Sequence, residues 1–190
     1  DCDGLGLRYA LEETGLHPDC VVVGKFTELR IIRGQRGRME IRIAVPGRSC
    51  HASTPEEGLN PVYRAAPLIA GIERLNETLS SDPFLGKGTI AVTQVAVDSP
   101  GFNRLAHEAY LSVDRRLTAG ETRELALDQI RSVPGAEGAS VEVLTDEKPA
   151  STGLVRKVEK CFPGWAVPEG SRVVRAAVET FRRAVGGEPV

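Results

Sequence analysis

An α/β chain is predicted, in which a ferredoxin-like β-α-β-β-α-β unit over residues 37–147 interrupts a partial α/β domain built from residues 1–36 and 148–190. Three observations lead there. Between Arg38 and Thr145 the apolar residues switch between a period of two and a helical period, in the order strand, helix, strand, strand, helix, strand. Ahead of that unit, a helical stretch is followed by the apolar run Cys20-Val21-Val22-Val23, the kind that fills a buried parallel strand. After it comes another helical pattern, Ser171 to Val185.

Leu5 to Thr14 reads as a helix ending near Gly15, and Leu29 to Ile32 as a further strand beyond Cys20–Val23. Gly34-Gln35-Arg36-Gly37 is the expected hinge. Met39, Ile41, Ile43 and Val45 then alternate with Arg38, Glu40 and Arg42, which predicts a half-buried strand. Asn60-Pro61 supplies an N-cap with proline at the first helical position, and Val62, Ala65, Ala66, Ile69 and Ile72 follow at helical spacing. Pro67 inside that helix predicts a kink. Thr89 to Val97 is strand-like, with a phase shift between Val92 and Val95 of the kind a bulge causes. Glu108 to Leu117 forms a cleaner strand, Glu121 to Val133 a second amphipathic helix, and Ser140 to Thr145 the last strand. Gly153 to Lys160 reads as a helix, and a Pro/Gly-bearing loop through Phe162-Pro163-Gly164-Trp165 leads to the final one. One apolar face per strand predicts four antiparallel strands with both helices on one side.

The 190 residues carry 26 acidic and 24 basic side chains, so total charge does not call for nucleic acid. Arg30, Arg33, Arg36, Arg38, Arg42 and Arg48 form a basic run, but Glu28 and Glu40 interrupt it and no aromatics interleave for base stacking. Cys2, Cys20, Cys50 and Cys161 lie far apart without a Cys-x-x-Cys pair, which predicts reduced thiols in a cytoplasmic protein. No apolar run reaches the ~20 residues that span a bilayer, so no membrane contact is expected. Asp1-Cys2-Asp3-Gly4 lacks an initiator Met, and Gly186 to Val190 stop where a strand or loop should begin, so both termini read as cut.

His51 lies in Gly47-Arg48-Ser49-Cys50-His51-Ala52-Ser53, a Gly/Ser-bearing loop that presents its side chain; neutral imidazole can donate to a developing oxyanion. The plain alternative is a loop histidine bonded to its own backbone, which is also the reading for His17 and His107. Alternation puts Ala109, Leu111, Val113 and Arg115 on one face of their strand and Tyr110, Ser112, Asp114 and Arg116 on the other. Arg116 therefore leaves the sheet on the face without the apolar run. A guanidinium there can clamp a carboxylate bidentately, with Asn103 gripping an amide or carboxylate nearby; the alternative is a solvated sheet face.

Several stretches, in order and spacing, resemble one family over nearly the whole chain. They are Asp3-Gly4-Leu5, Val21-Val22-Val23-Gly24, Arg36-Gly37-Arg38-Met39-Glu40, Ser49-Cys50-His51-Ala52-Ser53, Gly58-Leu59-Asn60, Leu85-Gly86-Lys87-Gly88-Thr89, Asp114-Arg115-Arg116-Leu117-Thr118-Ala119-Gly120-Glu121-Thr122 and Pro163-Gly164-Trp165. The resemblance is to the two-metal amidohydrolases of the acetylornithine deacetylase and succinyl-diaminopimelate desuccinylase type. Leu85–Thr89 and Asp114–Thr118 most resemble the subgroup described as selenium-metabolism hydrolases.

That resemblance implies that residues 1–36 and 148–190 are parts of a catalytic domain, and that the inserted unit is a lid through which the protein forms a homodimer. It implies two divalent metals, usually zinc, a glutamate general base, and hydrolysis of the amide bond of an N-acyl or carbamoyl amino acid or small peptide. By the same resemblance His51 is the lid histidine that reaches the partner subunit's active site to stabilise the oxyanion, while Asn103 and Arg116 hold the substrate. The chain departs from the family where a Gly-Glu-Pro-Thr type motif should supply a metal ligand, since it reads Gly24-Lys25-Phe26-Thr27. An ammonium cannot coordinate zinc in place of a carboxylate. The remaining ligands fall outside residues 1–190, so the expectation is that this chain alone binds no metal pair. A proline of the pattern is also replaced by Ala106. Two other classes stay open: a non-catalytic dimerising or ligand-binding module that has lost the metal site, and a ferredoxin-like regulatory domain unrelated to hydrolysis.

Overall fold

The computed structural model describes residues 4–189, which fall into two compact units. Residues 34–147 and 157–166 form one; the segments up to Arg33, Lys148–Arg156, and from Val167 onward form the other. Asp3, read as opening the first helix, and Cys2, read as a reduced thiol, lie outside the described residues.

The larger unit is the ferredoxin-like arrangement. Its elements are β1 (Gly37–Pro46), α2 (Pro61–Thr78), β2 (Thr89–Asp98), β3 (Glu108–Leu117), α3 (Arg123–Arg131) and β4 (Ser140–Val143). β1 pairs antiparallel with β3 along ten residues, from Gly37↔Leu117 to Pro46↔Glu108. β2 closes one edge on β3 and β4 the other on β1, all antiparallel, giving the spatial order β4-β1-β3-β2. The alternation read from sequence is realised: Met39, Ile41, Ile43 and Val45 of β1 join Ala109, Leu111 and Val113 of β3 in one core. α2 supplies Ala65, Leu68 and Ile72 to it, and α3 supplies Ala126, Leu127 and Ile130, so both helices cover the same face. Each fully buried aliphatic side chain stabilises the fold by ~1.5–3 kcal/mol.

Local chemistry sets the helix ends. Asn60 Oδ1 accepts the Val62 N–H at 2.9 Å and Thr122 Oγ1 accepts the Leu125 N–H at 3.1 Å, so each orphan first turn gains a side-chain partner. α2 runs unbroken from Pro61 to Thr78 through Pro67, where the sequence predicts a kink. The β2 register shifts between Val92 and Gln94, as the phase change in the sequence predicts.

β4 covers only Ile41–Ala44, which leaves Arg38–Met39 as open edge. β5 (Cys161–Phe162) fills it, pairing with Met39 and Arg38. Val158–Glu159 pairs in turn with Thr145–Asp146, and Trp165–Ala166 with Gly34–Gln35. Residues 157–166, placed by sequence in the return segment, therefore pack with the sheet. The expected helix Gly153–Lys160 is absent; Gly153 takes a left-handed turn (φ 81°) and the residues after it are drawn into ladders. Gly37 has a packing reason here, since a Cβ would sit 2.5 Å from the Phe162 carbonyl oxygen and 2.6 Å from the Gly164 nitrogen.

In the smaller unit, α1 (Leu5–Glu13) and α4 (Arg172–Val185) are the helices. Arg156 ties its loop to α1 through Glu12 at 2.5 Å and through Glu13, with its guanidinium 5.3 Å from the Tyr9 ring centroid. Two sequence readings are corrected. Val21–Val23 are exposed coil, because no strand among the described residues pairs with them and an apolar run alone does not make a strand. Leu29–Ile32 is not a strand either: Glu28 and Leu29 both take positive φ (56° and 62°), closing a turn with the Arg30 N–H on Thr27 O at 3.0 Å.

Candidate functional site

The loop after β1 and the loop before β3 meet at one end of the sheet. The Ala52 N–H donates to Asn103 O at 2.8 Å, the Leu105 N–H to Cys50 O at 3.0 Å, and His51 forms an antiparallel bridge with Arg104. His51 and Asn103, picked out separately from sequence, are thus held side by side on exposed backbone. Ala106, where the family pattern has proline, is buried under this loop.

The His51 ring is oriented by its neighbour. Its Nδ1 accepts the Ser53 backbone N–H at 3.2 Å and lies 2.7 Å from Ser53 Oγ. A backbone N–H can only donate, so Nδ1 carries no proton in this arrangement and the neutral ring bears its hydrogen on Nε2. The plain expectation, a loop histidine bonded to local backbone, therefore holds for one nitrogen, and the other is a donor with an exposed position.

Arg116 stands at the other end of β3, on the polar face as the alternation requires. Asp114 holds it bidentately, Nε to Oδ1 at 2.7 Å and Nη2 to Oδ2 at 3.1 Å. That uses one edge of the guanidinium and leaves the Nη1/Nη2 edge for another anion. Its cross-strand neighbour is Arg38, which pairs with Glu40 at 3.3 Å and stacks over Phe162 at 5.3 Å. Eight residues separate Glu108 from Arg116, which at ~3.4 Å per residue is roughly 27 Å. One copy of the chain therefore brings His51 and Asn103 together and keeps Arg116 far from both. Near the His51 end, Tyr110 has its phenol pushed above the usual range, first by its hydrogen bond to Glu108 and then by burial.

Sequence reading missed the role of Arg115. Its side chain is fully buried, with Nη2 on Glu121 Oε1 at 2.5 Å and on Gln129 Oε1 at 3.2 Å, and Nη1 on the Arg116 carbonyl at 2.5 Å. Glu121 Oε2 also accepts the Thr118 N–H at 2.8 Å. Gly88 lies against the pair, where a Cβ would come within 2.7 Å of Glu121 Oε2 and 2.8 Å of Arg115 Nη1. The Gly86-Lys87-Gly88 and Asp114-to-Thr122 stretches are thus parts of one buried device that fixes the backbone under Arg116. The available signal was a charged residue in the apolar phase of a strand.

A divalent metal pair does not fit the described residues. Among them no three His, Cys, Asp or Glu side chains come together as a cage, and Lys25 is exposed on coil. No described helix is long and apolar enough to cross a membrane.

The comparisons agree on the class. A profile of the Peptidase dimerisation domain, M20_dimer, matches residues 33–142, and the chain belongs to that M20 peptidase family. It is 43% identical over its whole length to the Escherichia coli (strain K12) "Uncharacterized protein YgeY", covering 48% of that protein. It is 25% identical to the acetylornithine deacetylase of Klebsiella pneumoniae (strain 342) over 90% of the chain and 43% of that enzyme. The chain thus spans about half the length of these curated relatives. Among solved structures, the fold is similar to that of aminopeptidase PepT from Bacillus cereus (TM-score 0.60, 17% identity, 85% of this chain and 39% of that one). It is similar too to an M20 family metallo-carboxypeptidase from Sulfolobus solfataricus (TM-score 0.61, 14% identity, 84% and 45%).

Proposed function

We propose that the chain is the lid-bearing part of an amidohydrolase that cleaves the amide bond of an N-acyl or carbamoyl amino acid or small peptide, working as a homodimer. The observation that carries this reading is the pairing of His51 with Asn103 at one end of the sheet while Arg116 sits roughly 27 Å away at the other. Groups meant for one substrate cannot meet within one copy, but in a two-fold dimer each site can draw on both. His51 Nε2–H then donates to the oxyanion as the amide carbon becomes tetrahedral, Asn103 orients the amide, and the open edge of Arg116 takes a carboxylate. The family resemblance and the acetylornithine deacetylase relative support the substrate class. The metal chemistry of the family needs a ligand cage that the described residues do not bring together.

Self-association is supported by the family and by the free edge of β2, where Val95 and Val97 are half-exposed. The unpaired thiols Cys20, Cys50 and Cys161 support a cytoplasmic setting. A second reading, a dimerising or ligand-binding module without hydrolysis, draws on Lys25 standing where the family has a carboxylate.

Subunit mixing tests the proposal in the full-length protein. His51→Ala and Arg116→Ala homodimers should each be nearly inactive. After random exchange half the dimers are mixed, and each mixed dimer holds one intact site, so about a quarter of wild-type activity should return. No recovery would place both groups in one subunit's site and overturn the shared arrangement. Wild-type protein without turnover of N-acyl or carbamoyl amino acids would favour the non-catalytic reading.

A further inference from the structure

Phe102 projects wholly from the surface, 112% exposed relative to a reference chain, on a turn that is firmly hydrogen-bonded. Ser99 Oγ lies 3.0 Å from Gly101 O and 3.3 Å from Arg104 O, and the Arg104 N–H donates to Gly101 O at 3.2 Å. Below the turn the His107 N–H donates to Asp98 O at 2.7 Å, closing the loop between β2 and β3. An aromatic ring on a slack loop folds back onto apolar surface, because the hydrophobic effect favours any burial within reach. Here the backbone is pinned and the ring stays outward.

Its neighbours give it a context. Phe102 directly precedes Asn103, about 3.8 Å away along the chain. Asn103 is bound by its carbonyl to Ala52 N–H, and Arg104 bridges to His51. Phe102 thus sits on the same pinned turn as Asn103, whose backbone is bound to the His51 loop. Of the three exposed side chains, two offer hydrogen bonds and one offers only an apolar surface.

We propose that Phe102 is a specificity-determining residue, packing its ring against an apolar acyl or side-chain group of the substrate served by His51 and Asn103. The inference rests on the reading of those two residues as active-site groups. It predicts that the enzyme selects amides bearing a sizeable apolar or aromatic group over those bearing a small one.

The test compares N-phenylacetyl and N-acetyl derivatives of one amino acid on the full-length protein. Wild type should prefer the phenylacetyl amide in kcat/KM. Phe102→Ala should cut that preference by roughly 10–100-fold, the range for loss of a well-packed apolar contact, with Phe102→Leu retaining an intermediate part. The loss should fall mainly on the phenylacetyl amide while sedimentation shows the same dimer. An active wild type whose preference is unchanged in Phe102→Ala overturns this inference and leaves the proposed function standing. A dimer lost in Phe102→Ala with preference unchanged overturns it too, since the ring then serves subunit contact. A wild type that turns over neither amide overturns the inference together with the reading beneath it.

Discussion

Separating Arg115 from Glu121 should be among the costliest single changes in the sheet unit. Their side chains are 0% and 2% exposed, so removing either leaves a charge with no route to solvent. Arg115→Met strands the Glu121 carboxylate; Glu121→Leu strands the guanidinium and also orphans the Thr118 N–H. Breaking a buried pair in this way costs about 3–5 kcal/mol. At roughly 2–4 °C per kcal/mol for a chain of this size, the melting temperature should drop by roughly 6–20 °C. The double variant, Arg115→Met with Glu121→Leu, removes both charges and should cost no more than the worse single change, because an apolar pair of similar volume needs no partner. Thermal and urea unfolding followed by circular dichroism read all three. Single variants within about 1 kcal/mol of wild type, or a double variant whose loss equals the sum of the singles, would refute the argument. Gly88→Ala probes the same spot without touching charge and should also destabilise, since its Cβ meets both partners below 3 Å.

Two further outcomes follow from other parts of the chain. Glu12 has its carboxyl held below the ordinary value of 4.5, first by its hydrogen bond to Arg8 and then by that to Arg156. A depressed acid contributes while ionised, so this tether of α1 should be intact above pH 4.5 and be lost as pH falls through the lower folded value, read by NMR titration of Glu12. Arg156→Ala should move that titration upward, and an unmoved midpoint would remove Arg156 from the cause. Leu68→Ala, at a fully buried position of α2, should cost about 2–5 kcal/mol in urea unfolding; a loss under about 1 kcal/mol would mean the helix layer is not packed as described.

The inserted unit was readable because its information is local. Met39-to-Val45 and Ala109-to-Val113 alternate cleanly, and the capping residue Asn60 announces the helix it begins, whereas the cap at Thr122 shows only in the structure, one residue inside the span read as helix. Val21–Val23 and Gly153–Lys160 misled for the opposite reason: whether such stretches become strand, helix or coil depends on which backbone groups reach them, and that is not written in their own residues. Phe162 could not be placed on the sheet from its sequence, since β5 exists only because β4 stops short of Arg38. For the candidate site, alternation gave the face of Arg116 but not its distance from His51, which needs the antiparallel register of β1 on β3. Arg115 was assigned to the apolar face, yet its partner six residues on became visible only with the turn closed.

The chain enters the sheet unit at Gly34–Gln35 and finally leaves it at Trp165–Ala166, and those two dipeptides are ladder partners. Its one intermediate departure, residues 148–156, is bracketed the same way by Thr145–Asp146 against Val158–Glu159. Both doorways are therefore a single ladder spacing wide, about 5 Å. The unit's own entry and exit thus lie as close together as the two ends of a hairpin turn. The same geometry makes it a portable part: residues 34–166, with 148–156 replaced by a short Gly/Asn turn, could be lifted out as a self-contained sheet and helix layer.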